Sequence, residues 1–172
     1  MTTTTHSSSA VTPPSAGELV RGLTVYHTWV DMAWQQMQRC FASALDGGDP
    51  RGLAIVGDSG AGKSHILEKF ADEHPQVRHA HGLETPVLYV EVLPKPTVKA
   101  LIGQLLHALG DPLFDKGSEN SKMVRLRTLL KASRTRLILL DEFNHFVDQA
   151  GHRVQHHAGD WLKVLMDTTK IS

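Results

Sequence analysis

Between Gly57 and Ser64 the chain reads Gly-Asp-Ser-Gly-Ala-Gly-Lys-Ser, which fills every fixed position of the pattern G-x-x-x-x-G-K-[ST]. Residues of these types at this spacing can cradle a polyphosphate. Glycine reaches positive φ without a Cβ penalty, so such a loop can turn successive N–H groups inward. A helix starting near Gly62 adds its own N–H groups and the positive end of its dipole. The expected contacts run through Gly57, Asp58, Ser59, Gly60, Ala61, Gly62, Lys63, Ser64 and His65. Lys63 would reach the β- and γ-phosphates, and the Ser64 hydroxyl would ligate Mg²⁺.

A second stretch, "RLILLDEFNHF" at residues 136 to 146, carries the other half of the chemistry. Its apolar run ends at Asp141, where a carboxylate can hold Mg²⁺. Glu142 follows and is placed to polarise a water for attack on the γ-phosphate. Glu142 and Lys63 are therefore the expected catalytic residues. A solvated loop acid, or an acid at a helix start, would look the same at Glu142. The phosphate loop upstream and the strand ending at Asp141 favour the water-activating role. Consecutive acids also favour an ATPase over a small-molecule kinase, and no [NT]-K-x-D guanine-reading pattern occurs. ATP and Mg²⁺ are the expected ligands.

These residues need a scaffold. Leu53 to Val56 is a short apolar run that predicts a strand buried on both faces. A helix is predicted from about Gly62 to His74, closed by Pro75, with a polar, His-containing connection over residues 76 to 86. "PVLYVEVL", residues 86 to 93, predicts a second strand. "PKPT" then leads into a helix marked by Val98, Leu101, Ile102, Leu105, Leu106 and Leu109, stopped by Gly110 and Pro112. Further helices are predicted over about 121 to 133 and 158 to 168, and a third strand over 136 to 140. The amino-terminal helix spans about Thr28 to Leu45, with "GGDP" ending it. Alternating strands and helices predict an α/β fold with a parallel sheet between helices.

Size and composition agree with one such domain. The chain has 172 residues, 41% of them hydrophobic, and 18 basic residues balance 18 acidic ones. That balance argues against nucleic-acid binding by the whole surface, although a local basic patch can still do it. Residues 1 to 18 read as a disordered Thr/Ser/Pro-rich tail, leaving 19 to 172 as the domain. The tail lacks the features of a signal peptide, and no apolar segment approaches the roughly 20 residues that span a bilayer. A cytoplasmic location and no membrane partner are expected. Cys40 is the single cysteine, so no internal disulfide forms.

Weaker signals are judged on their surroundings. His152 and His156 have helical i,i+4 spacing, and His145 and His157 lie near, but no third ligand accompanies them. Scattered surface histidines are the favoured reading. Tyr26, Trp29 and Trp34 could stack on bases, yet their place beside a helical apolar stripe favours core packing. Tyr26 and His27 precede that helix, where an adenine pocket is the alternative use.

Taken together, "GDSGAGKSHILEKFADEHP", "PVLYVEVLPKPTVKALIGQLLHALGDP" and "LILLDEFNHF" resemble the TniB/TnsC group of transposition ATPases over about Leu53 to Met166. The strand, Pro-x-Pro-Thr and helix arrangement is the narrower part of that likeness. The resemblance implies an AAA+ fold of the additional-strand type that self-associates on duplex DNA with ATP and recruits a transposase. It also implies that the loop after the second strand faces DNA, placing Lys95, Thr97 and Lys99 near phosphates; an ordinary solvated loop is an equal alternative there. A departure accompanies it. The sequence stops at "MDTTKIS", about where a sensor strand is expected, so the later strands, arginine finger and helical lid are expected to be missing. That strand order would leave a gap between the phosphate-loop strand and the Asp-Glu strand, and unpaired backbone is costly to bury. Nucleotide binding is then expected to survive better than hydrolysis. Another P-loop ATPase, of replication-loader or signalling type, and a truncated non-catalytic binding module are the alternatives.

Overall fold

The computed structural model describes residues 28–43, 49–80, 82–94, 96–148 and 152–172. The tail expected at residues 1 to 18, Tyr26 and His27, the end of the first helix at Leu45, and Lys95 lie outside the described residues.

Two short strands form the centre. β3 (Val87–Glu91) and β4 (Leu137–Asp141) pair in parallel, with Val87 opposite Leu137 and Glu91 opposite Asp141. A parallel pair needs a long crossover. Here it is made by α3 (Val98–Ala108) and α4 (Glu119–Ala132). Each helix starts at a hydroxyl cap: Thr97 accepts from the Ala100 N–H at 3.1 Å, and Ser118 from the Ser121 N–H at 3.2 Å.

Side chains alternate across the pair, as strand geometry demands. Leu88, Val90 and Val92 pack against α3, α4 and the long α6 (His152–Thr169), with Ile138 and Leu140 on that side. Val87, Leu137 and Leu139 face α1 (Thr28–Ser43) and α2 (Lys63–Asp72) instead, with Tyr89 beside them. Phe70 anchors this second layer: Trp34 meets it edge-on at 5.0 Å and His74 stacks on it at 4.7 Å. Helices thus cover both faces of a parallel pair, an arrangement compatible with the α/β class.

Three details differ from the sequence reading. Residues 76 to 86 are not a plain connection; they hold a hairpin of β1 (Val77–His79) and β2 (Gly82–Glu84), with Arg78 opposite Leu83. A short helix, α5 (Asn144–Asp148), follows β4, and α6 begins six residues before the expected start at 158.

The third difference is larger. The predicted strand Leu53–Val56 is neither paired nor buried on both faces: Leu53 is 43% exposed and Val56 92%. A strand needs a neighbour to accept its hydrogen bonds, and β4 lies out of reach. A cavity of about 840 Å³ separates residues 51–57 from β4, walled beneath by Trp161, Leu165 and Met166 of α6. Ile171 and Ser172 lie along the near end of the β4 edge. There the Ile138 N–H donates to the Ser172 carbonyl at 2.9 Å, and the Arg51 N–H donates to Ser172 Oγ at 2.9 Å. Among the described residues no helix is long and apolar enough to cross a membrane.

Candidate functional site

Local sequence builds the loop before α2. Gly60 and Gly62 sit at φ 80° and 84°, the left-handed region that residues with a Cβ seldom enter. The Ala61 N–H donates to the Asp58 carbonyl at 3.2 Å, closing the turn. Gly62 is the N-cap of α2 and offers no side chain to its first N–H groups. An uncapped helix start at the end of a glycine turn is a suitable anion seat.

Lys63 folds back over this loop. Its ammonium donates to the carbonyl oxygens of Gly57 and Asp58, each at 2.8 Å. The next residue, Ser64, is half-buried, and His65 is exposed on the first turn of α2.

The acidic pair stands at the end of β4, as its sequence position requires. Asp141 is buried at 6% exposure, and a buried carboxylate must be hydrogen-bonded. Both its oxygens are. Oδ1 accepts from the Glu142 N–H at 2.8 Å, and Oδ2 accepts from the Tyr89 hydroxyl at 3.0 Å. Burial, followed by the hydrogen bond to Asp141 and the charges of Asp141, Glu68 and Glu91, holds the Tyr89 phenol well above its ordinary range. It therefore remains a donor.

Glu142 adopts φ 53°, unusual for a residue with a long side chain. The turn that follows fixes it there: the His145 N–H donates to the Glu142 carbonyl at 3.0 Å. With its amide turned to satisfy its partners, Asn144 donates to the Glu142 carbonyl at 2.9 Å and to Oε2 at 3.0 Å. One side chain thus holds both the backbone and the carboxylate of Glu142.

Gly57, Ser59 and Lys63 from the loop, and Asp141, Glu142 and Asn144 from the β4 end, line the same cavity. The structure brings the cation and the two acids to one space. Thr97 and Lys99 lie elsewhere, exposed at the start of α3, with the Thr97 hydroxyl already capping that helix. His157 pairs with Glu119 at 3.1 Å, while the side chains of His152 and His156 lie outside the described residues. Among the described residues no three His, Cys, Asp or Glu side chains converge as a metal group.

Two positions went unread in the sequence. Tyr89 carries a signal only in its parity: it shares a strand face with Val87 and Glu91, so its reach to Asp141 depends on the register of β3 on β4. Asn144 lies two residues after Glu142, at the start of the short helix α5, which the sequence reading did not include. The family model described as Bacterial TniB protein matches residues 19–172 of the chain. No curated protein matches it.

Proposed function

We propose that the chain, which belongs to the TniB family of transposition-associated P-loop NTPases, is an AAA+ ATPase that assembles on duplex DNA when ATP is bound and recruits a transposase. One observation carries the nucleotide part of this reading. Lys63, with Gly57 and Ser59 of its loop, and the Asp141-Glu142 pair line a single cavity.

Residues Gly57 to His65 fit a triphosphate. Gly60 and Gly62 already hold the positive φ that inward N–H groups require. The Lys63 ammonium is satisfied by loop carbonyls, which phosphate oxygens replace with charge-assisted contacts. Ser64 and Asp141 would hold Mg²⁺, which neutralises charge on the β- and γ-oxygens when bound. Tyr89 fixes the orientation of Asp141, and Asn144 that of Glu142. Glu142 then accepts a proton from the attacking water.

Assembly on DNA draws on the start of α3. Lys99, with Lys95 and Thr97, would meet backbone phosphates, contacts that position a protein without reading sequence. The test is fluorescence anisotropy of a labelled duplex with an ATP analogue, with ADP and without nucleotide. Binding should need the analogue, weaken with salt and vanish in Lys63→Ala. Equal binding in all three states, unchanged in Lys63→Ala, would overturn the reading.

A second reading is nucleotide binding without turnover. It draws support from the missing ladder between residues 51–57 and β4, which leaves the cavity between the segment before the loop and the strand that ends at the acids. An ATP-induced thermal shift with no phosphate release would select it.

A further inference from the structure

We infer that Trp29 is the platform on which the base of the bound nucleotide stacks, so that the site selects an aromatic nucleobase and not a bare polyphosphate. This rests on the reading of residues 57 to 65 as a phosphate cradle.

The inference starts from how α1 divides its side chains. Val30, Met37 and Cys40 are buried, and Trp34 turns inward onto Phe70. That face satisfies the core. Trp29 lies off it, 39% exposed, whereas Trp34 is half-buried and Trp161 is 6% exposed. A single exposed indole needs no explanation by itself, so its place beside the loop is what counts.

Trp29 borders the cradle itself. A Cβ built on Gly62 would meet the Cη2 atom of its ring at 3.9 Å. The edge of the indole therefore lies beside the glycine that caps α2, and part of the residue remains exposed to solvent. A triphosphate seated on that helix start must carry its base about one ribose away, at the rim. The other aromatics near the acidic end are committed: Tyr89 donates to Asp141, and Phe143 packs on Phe146 at 5.3 Å. Trp29 is the exposed aromatic of the right chemistry beside the loop among the described residues. Stacking a base on an aromatic face is tolerant of sequence and strong enough to select against ligands lacking a π-system.

The test compares ATP with inorganic tripolyphosphate, each with Mg²⁺, by tryptophan fluorescence and thermal shift. The chain is compared with Trp29→Ala, Trp29→Phe and Lys63→Ala. Trp29→Ala should weaken ATP roughly 5- to 150-fold, the range that one base stack supplies. Tripolyphosphate should bind it as before, and Trp29→Phe should recover most of the ATP affinity. ATP should quench the native fluorescence, and Trp29→Phe should abolish that quench. Wild-type ATP affinity in Trp29→Ala, with binding lost in Lys63→Ala, would refute the platform and spare the cradle. Equal loss of both ligands in Trp29→Ala would reduce Trp29 to a support for Gly62. Failure of the unaltered chain to bind either ligand would overturn the cradle and the platform together.

Discussion

Lys63 donates its ammonium to the carbonyl oxygen of Gly57 at 2.8 Å, closing the glycine loop on its own cation. The loop is thereby held in the shape that a phosphate needs before a phosphate arrives. Lys63→Ala should remove both the closure and the charge. With ATP at 100-fold above Kd, a working site adds about 2.7 kcal/mol of stability. The matching rise in melting temperature should be absent in Lys63→Ala.

Tyr89→Phe should destabilise the fold. It leaves Oδ2 of a buried carboxylate without its donor, a loss of about 1–3 kcal/mol. Urea unfolding at neutral pH measures this directly. A midpoint equal to the unaltered chain would mean that water replaces the hydroxyl and that Tyr89 does not orient Asp141.

The same phenol makes a prediction about alkaline pH. Its folded value lies above the ordinary 10.0, so above that pH the unfolded chain releases a proton that the folded chain retains. Its contribution is therefore fully present below about pH 10 and is lost as pH rises beyond it. Unfolding midpoints between pH 9 and 11 should fall, and Tyr89→Phe should flatten that decline.

Asn144→Ala and Glu142→Gln should both reduce turnover while sparing ATP binding, because neither residue belongs to the phosphate loop. Glu142→Gly isolates the backbone. It relieves a left-handed residue whose conformation costs about 1–2 kcal/mol, against glycine's extra unfolded-state entropy of roughly 0.5–1 kcal/mol. Its melting temperature should not fall, although its turnover should be lost. A clear drop would show that the carboxylate, held by Asn144, contributes more to stability than the backbone costs.

Gly103→Ala tests the crossover. In an open helix this change stabilises by about 1 kcal/mol. Here the new Cβ would stand 3.1 Å from Lys122 Nζ and 3.2 Å from the Phe114 carbonyl oxygen. The lysine end can shift, but the carbonyl belongs to backbone. Overpacking of about 1–3 kcal/mol should outweigh the propensity gain, and thermal melting should show a lower midpoint.

Sequence patterns conveyed a good part of this. The glycine spacing located the loop, and the apolar runs read as strands over 86 to 93 and 136 to 140 located β3 and β4 to within two residues. Helical stripes located α1 to α4 to within a few residues. Leu53–Val56 misled because an apolar run records what a segment would bury, while a strand also needs a partner edge that no local pattern reports. The hairpin β1–β2 was hidden because its strands are three residues each and largely polar. Tyr89 and Trp29 share another cause: each gains its meaning from a residue far along the chain, Asp141 and Gly62 respectively, brought to it by register or by helix docking. Asn144 acts locally, on Glu142 two residues before it, through a turn that no periodic pattern reports.

The open edge of β4 has a consequence that isotope exchange would read residue by residue. In a parallel ladder the amides of one strand point alternately to its two neighbours. The Ile138 N–H turns away from β3 toward Ser172, so the Leu140 N–H turns the same way, toward the cavity. Leu139, between them, points to β3. Three consecutive amides in one five-residue strand should therefore lose deuterium protection at very different rates, with Leu140 fastest and Leu139 slowest. The strand that ends at Asp141 and leads into Glu142 is anchored along one flank and open on part of the other.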